Sequence, residues 1–319
     1  MSDEKPGAEP TPASLSIGVT GASGFIGSML VPRLRAAGHR VTRLVRRAPV
    51  EGEIQWGGGL GPRIQPASLA GLDAIVHLAG APIGRRWTTA RRREIRESRV
   101  LGTGEIADAM ARAADSGGPR VLVSTSAIGL YGSRGDEVLT EASPPGSGFL
   151  PDVAVAWEAA TRPAELAGIR VVRLRLGLPL SPSGGVLQRM LTPFRLGIGG
   201  RLGSGRQWMS WISTDDLLAV FQLALERDSM RGPVNTVSPN PLRNAEFSRV
   251  LARVLRRPAL LPVPGLVLRL LFGEMAEQTI LASARVTPYV LQGMGYRFRH
   301  NTAETALRDV LRPNERATG

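Results

Sequence analysis

The stretch GVTGASGFIG, residues 18–27, places Gly21, Gly24 and Gly27 where a β-rich run passes into a helical one. Glycine is a poor helix former, so its repetition at that junction needs a reason. Gly21 permits a tight turn, Gly24 lets the backbone approach a ligand, and Gly27 lets strand and helix pack closely. The helix that follows presents free N–H groups and a positive dipole end, which suit a pyrophosphate. Ala22, Ser23, Phe25 and Ile26 complete the turn. A glycine-rich turn with no ligand is the plainer alternative, but the strand, helix and second strand around it favour a dinucleotide.

The spacing is G-x-x-G-x-x-G, and the next strand ends in LVRRAP, with Arg46 and Arg47. An NAD site usually carries an acid there for the ribose hydroxyls. Two guanidiniums would instead attract a 2′-phosphate, so the cofactor expected is NADP(H). Two solvated arginines in an arginine-rich chain are the alternative.

Further along, GSGRQWMSWISTDDL (203–217) sets Arg206, Gln207 and Trp208 in a glycine-rich loop before a helix. Arg206 and Gln207 could bind a polar or anionic small molecule, and Trp208 could wall its pocket. Trp211 reads as core, and Asp215 or Asp216 as a helix cap. His77 sits in an apolar strand and reads as a hydrogen-bonded core residue. No partner is apparent for His39 or His300, and no metal site is expected.

The composition narrows the classes. The 319 residues are 43% hydrophobic and 21% charged, with no cysteine, so disulfides, thiol nucleophiles and cysteine-held metals are excluded. With no apolar run of about 18 residues, neither a membrane span nor a membrane partner is expected, and a cytoplasmic setting is. The net charge of +13 invites a nucleic-acid reading. Against it, the basic residues are spread along the chain and are arginine throughout, except for Lys5. The densest run, 85–99, contains a single aromatic residue, Trp87, to stack on bases. Nucleic acid is therefore disfavoured; substrate and oligomeric state stay open.

These residues need a scaffold. Strand-like runs at 15–20, 39–46, 73–80, 119–127 and 169–177 alternate with helical runs at 25–38, 88–114 and 153–168, the last with Pro163 as a kink point. Near-continuous apolar strands between helices predict an α/β, Rossmann-type doubly wound parallel sheet. We divide the chain into a polar, disordered tail over 1–14, a cofactor-binding domain over 15–176, a smaller mixed α/β substrate and cap region over 177–312, some segments of which are expected to return to the sheet, and a frayed end over 313–319. Helices are expected in the cap at 214–227, 243–256, 264–272 and 302–311.

Taken in order, GASGFIG (21–27), VHLAGAPIGRRWT (76–88), ESRVLGT (97–103), STSAIGLYG (124–132), WEAAT (157–161) and the run 170–212 resemble the extended short-chain dehydrogenase/reductase superfamily. More narrowly, they resemble its epimerase-like YfcH group, NAD-dependent epimerase/dehydratase relatives whose small C-terminal domain of unknown function is matched by 262–276. The resemblance implies that the three glycines hold the pyrophosphate, that Leu78, Ala79 and Gly80 lie under the cofactor, and that Ser126 is the catalytic Ser/Thr bonded to the reacting oxygen. It also implies a Tyr-x-x-x-Lys pair, in which tyrosine relays a proton and lysine lowers its pKa. This chain departs there. The tyrosine slot falls within Phe149–Asp152, the lysine slot within Val153–Ala156, and the only lysine is Lys5. Tyr131, Asp152 and Glu158 are the substitute candidates. Two functions stay in view: an NADP(H)-dependent oxidoreductase or epimerase with an atypical site, or a catalytically silent NADP(H)-binding regulator.

Overall fold

The structure, a computed structural model, describes residues 14–311. The expected tail over 1–14, except Ser14, and the expected frayed end over 313–319 lie outside the described residues. The strands are β1 (Ser16–Thr20), β2 (Arg40–Val45), β3 (Glu53–Gln55), β4 (Ala74–His77), β5 (Val121–Ala127), β6 (Val138–Leu139), β7 (Arg170–Leu176), β8 (Leu178–Leu180), β9 (Trp208–Met209), β10 (Trp211–Ser213), β11 (Gly232–Thr236), β12 (Leu242–Arg243) and β13 (Arg285–Val286). The helices are α1 (Gly27–Ala36), α2 (Thr89–Ala113), α3 (Phe149–Ala159), α4 (Arg162–Leu166), α5 (Gly185–Arg195), α6 (Thr214–Glu226), α7 (Asn244–Leu255), α8 (Gly265–Phe272), α9 (Tyr289–Gly293) and α10 (Ala303–Leu311).

Seven strands form one sheet in the order β11-β7-β5-β4-β1-β2-β3, with every pairing parallel. Its central strands β1, β4 and β5 are buried on both faces, which is why they read as apolar runs, whereas β2 and β3 at the edge are largely half-buried. On one face Ile17, Val19, Val76 and Val123 pack with Leu30 and Leu34 of α1 and Phe221 of α6. On the other, Ile75, Leu122 and Val171 pack with Ile106 and Met110 of α2. A separate core joins α5, α7 and α10 through Leu187, Leu191, Phe194, Phe247, Leu251 and Leu307, with Trp211 fully buried among them.

β1 pairs with β2 on one side and β4 on the other, so the chain leaves in one direction and returns in the opposite one. In such sheets a ligand usually sits beyond the carboxyl ends of the strands at this point of reversal. β11 adds an edge strand from the region after 176, alongside β7. The 153–168 helix is two helices, α3 and α4, because Pro163 sits in the first turn of α4, where its missing N–H costs nothing. The 88–114 region is one unbroken helix, capped by the Thr88 side chain. Ser213, rather than Asp215 or Asp216, caps α6. Asp216 instead accepts from the Ser213 hydroxyl and from backbone N–H groups of Arg299 and His300.

Candidate functional site

The glycine turn spans the end of β1 and the start of α1. Gly21 has φ +65°, and a Cβ there would stand 3.0 Å from the Ala79 nitrogen. At Gly24 a Cβ would meet only the Gly21 carbonyl oxygen, at 3.1 Å, so its outer side is open. At Gly27 a Cβ would fall 2.3 Å from that same oxygen and within 2.8 Å of Ala22 backbone, which leaves room for glycine alone. The first turn of α1 has neither an acidic residue nor a side-chain cap, so nothing in it competes with an anion. Ala22, Phe25 and Ile26 are half-buried, and Ser23 is exposed.

Beside the turn, the Thr20 hydroxyl accepts from the N–H groups of Leu78 (3.1 Å) and Ala79 (3.4 Å) and lies 2.8 Å from Nδ1 of His77. His77 is fully buried, and burial lowers its pKa to about 4. Gly80 follows, exposed above the Arg99 guanidinium, whose carbon lies 3.3 Å from where a Gly80 Cβ would stand. Arg99 donates to the Ala81 and Ile95 carbonyls, lies 5.1 Å over the Trp157 ring and forms no ion pair among the described residues. Burial, with repulsion from Arg91, lowers its pKa to about 10.

The two arginines after β2 differ. Arg47 is engaged by Glu53, with Nη2 2.8 Å from its carboxylate, and donates to the Ala48 carbonyl. The sequence shows no acid beside these arginines, but the parallel pairing of β2 with β3 brings Glu53 to Arg47. Arg46 is exposed and makes no hydrogen bond or ion pair among the described residues. Its stem runs along the loop after β3, close to Gly58. The Glu105 carboxylate holds that loop by accepting from the N–H groups of Gly57, Gly59 and Ile64.

Three of the four proposed catalytic side chains meet in one buried network. The Ser126 hydroxyl donates to Glu158 Oε1 at 2.7 Å. Arg175 grips both Glu158 oxygens, at 2.8 and 2.9 Å, and donates to the Tyr131 hydroxyl at 2.9 Å. Tyr131 donates in turn to Asn235 Oδ1 at 2.7 Å. Burial, partly offset by Arg175, raises the Tyr131 pKa, so it remains a neutral phenol. Burial disfavours the Arg175 charge, but its bonds to Glu158 and Tyr131 prevail and raise its pKa. Asp152 is not in this network; its side chain is exposed on α3. Over the vacated Tyr and Lys slots, Phe149 stacks edge-on with Trp87 at 5.0 Å, and the Leu150 N–H donates to Gln278 Oε1 at 2.8 Å.

On the proposed substrate side, Trp208 is held between the guanidiniums of Arg243 (4.6 Å) and Arg285 (4.7 Å), and its Nε1 donates to Asp136 at 2.8 Å. Arg206 is exposed. Gln207 points inward: it is buried, and its amide donates to the Leu202 and Ile280 carbonyls. Contrary to the sequence reading, both other histidines have neighbours to pair with. His39 Nδ1 accepts from the Leu15 N–H, and His300 Nε2 lies 2.8 Å from Asp309. Asp215, His300 and Asp309 bring ligand atoms within 4.8 Å of one another, a convergence the sequence does not reveal. No helix among the described residues is long and apolar enough to cross a membrane.

Arg175, Asn235, Arg99 and Glu105 escape sequence reasoning. Arg175 resembles any outward residue of a strand, and Asn235 lies 104 positions from Tyr131. An isolated Glu in mid-helix gives no sign that it holds a loop 41–48 residues away.

Residues 17–236 match the NAD dependent epimerase/dehydratase family, and residues 263–310 match a domain of unknown function (DUF1731). The chain belongs to the NAD dependent epimerase/dehydratase family. It is 43% identical over 297 residues to the epimerase family protein Mb2239 of Mycobacterium bovis, covering 92% of this chain and 97% of that protein. The crystal structure of the human epimerase family protein SDR39U1 (isoform 2) with NADPH superposes with a TM-score of 0.83 at 33% identity, over 93% of this chain and 99% of that one. A nucleoside-diphosphate sugar epimerase from Corynebacterium glutamicum gives a TM-score of 0.76 at 35% identity. That alignment covers 93% of this chain but spans only 58% of the length of the Corynebacterium chain.

Proposed function

We propose that the protein binds NADP(H) beyond the carboxyl ends of β1 and β4 and acts as an oxidoreductase or epimerase on a small polar substrate, without a Tyr-x-x-x-Lys pair. One observation carries the cofactor: an uncapped, acid-free α1 N-terminus opens from Gly21–Gly27, with the unengaged Arg46 at the end of the next strand. Gly24 lets the pyrophosphate approach, Leu78–Gly80 floor the cleft, and Arg46 takes the 2′-phosphate. The NADPH in the human relative supports the same choice. When bound, the cofactor supplies hydride transfer.

The chain's own residues supply orientation. Glu158 accepts the hydrogen bond of the Ser126 hydroxyl, so the serine oxygen is presented to the substrate as an acceptor. Arg175 fixes Glu158, and Arg99 supplies a cation near the vacated lysine slot. Arg206 and the Trp208 cluster form the substrate end. The empty Tyr and Lys slots favour a second reading, a catalytically silent NADP(H)-binding regulator.

Fluorescence titration of NADPH and NADH tests the cofactor assignment. A charge-assisted hydrogen bond contributes roughly 1.5–3 kcal/mol. Arg46→Ala is therefore expected to weaken NADPH binding by about 10- to 100-fold and to leave NADH unchanged. Arg47→Ala removes a guanidinium already held in an exposed pair, and its effect should stay below about fivefold. Wild type that prefers NADH, or an Arg46→Ala protein that keeps the NADPH preference, would exclude this site.

Turnover separates the two readings. With a carbonyl and nucleotide-sugar panel, Ser126→Ala is expected to lower kcat by about 10²- to 10⁴-fold while NADPH affinity is retained. Wild type that gives neither net NADPH oxidation nor an epimerised product across the panel points to the silent protein, whereas turnover indifferent to Ser126→Ala removes the role given to Ser126.

A further inference from the structure

α8 is amphipathic in the wrong sense for a helix that only packs inward. Leu266, Val267, Leu270 and Leu271 are all exposed, Leu270 at 68%, whereas Leu268 is the helix's one buried residue. At 100° per residue, those four positions fall within a 140° arc, so they form one face. The segment leading into α8 extends it with Leu260, at 78% exposure, and Leu261. A neighbouring segment adds Leu196 and Ile198, both exposed. The two segments are stitched together where Gly203 N–H donates to the Val263 carbonyl (2.8 Å) and Val263 N–H to the Arg201 carbonyl (2.9 Å). Contiguous apolar surface of this kind, rimmed by polar groups, marks a docking site.

The charges around this face choose the partner. Exposed Arg195, Arg256 and Arg257 flank the leucines in sequence, and Arg86 donates to the Leu270 carbonyl at 2.9 Å. The acids just after α8 are matched: Glu274 pairs with Arg92 at 2.6 Å, and Glu277 pairs with Arg269. The rim is thus basic, on a chain of net charge +13. A second copy would bring arginine against arginine. An anionic bilayer satisfies both parts, taking the leucines into its interface and the guanidiniums among its headgroups. Such docking needs no spanning helix.

We propose that α8 and the leucine-bearing segments beside it dock the protein on the surface of an anionic lipid membrane. The test is flotation of the full-length protein with vesicles of phosphatidylglycerol or of phosphatidylcholine. Wild type is expected to float with phosphatidylglycerol, weakly with phosphatidylcholine, and less as salt rises. Leu266→Ser/Leu270→Ser alters exposed side chains only, so circular dichroism should be unchanged while binding falls by about tenfold or more. Arg195→Gln/Arg257→Gln should remove the preference for the anionic lipid. Failure of wild type to float with phosphatidylglycerol overturns the proposal. So does binding that survives the leucine substitutions, which would be charge attraction alone. A lipid-free dimer in sedimentation, dissolved by Leu266→Ser/Leu270→Ser, would give the face to a second copy instead.

Discussion

Glu158→Ala is expected to cost about 3–5 kcal/mol of folding stability, the largest loss from any single side chain at this site. The carboxylate and its partner are both shielded, with side-chain exposures of 13% for Glu158 and 8% for Arg175. Removing the acid leaves the Arg175 charge in that setting, with the Tyr131 hydroxyl and the Glu141 carbonyl as its remaining hydrogen-bond partners among the described residues. An uncompensated buried charge is costlier than the pair is favourable. Glu158→Leu/Arg175→Met, which removes both charges and keeps volume, should therefore recover most of the loss. Urea unfolding reads this directly: the midpoint shifts for the single variant and returns for the double, with the slope unchanged. A single variant within about 1 kcal/mol of wild type would mean that water already reaches Arg175. The double variant should still fail as an enzyme, because Ser126 has lost the acceptor that orients it. Stability and activity thus separate the structural and the positioning contributions of the pair.

What the sequence reveals here depends on how local the signal is. The glycine turn lies within seven residues, and its chemistry follows from φ and from the absence of a Cβ, so it is readable as written. Apolar runs reveal most of the parallel strands because both faces of the sheet are covered. β11 and α5 pass unnoticed: GPVNT contains a proline and an asparagine, and the α5 run contains Pro193, so each looks like loop. Pro233 is tolerated because β11 is an edge strand, joined to the sheet through β7 only. The buried network is illegible for another reason. Ser126 and Tyr131 share one stretch, but Glu158, Arg175 and Asn235 come from three others, and only the sheet order places β5, β7 and β11 side by side. Arg47 shows the same effect on the surface, since its pairing with Glu53 depends on the β2–β3 register. Gln207 is the converse case. Polar and loop-borne, it invites a substrate role, whereas its amide joins the Leu202 and Ile280 carbonyls.

Acid should weaken the fold through His77, and the hydrogen bonds around it show why. The Thr20 oxygen already accepts two backbone N–H groups, so its own proton points to His77 Nδ1. That nitrogen is therefore an acceptor, and protonating it would set donor against donor. The other nitrogen, Nε2, is buried without a hydrogen-bond partner among the described residues, and the ring meets Trp56 edge-on at 5.5 Å. Burial lowers the pKa from the ordinary 6.5 to about 4 in the folded protein. Between those values the unfolded chain binds the proton and the folded one does not. The stabilisation is thus fully present above pH 6.5 and is lost as pH falls towards 4, at up to about 1.4 kcal/mol per unit and about 3 kcal/mol in all. Because Thr20 also anchors Leu78 and Ala79, the floor of the proposed cofactor cleft should loosen over the same range. His77→Gln keeps a hydrogen-bond acceptor but does not titrate. Its unfolding free energy, followed from pH 7 to pH 4, should decline less steeply than that of wild type, with the two curves converging at the acid end. Parallel curves would show that His77 is already protonated, or already solvated, in the folded chain.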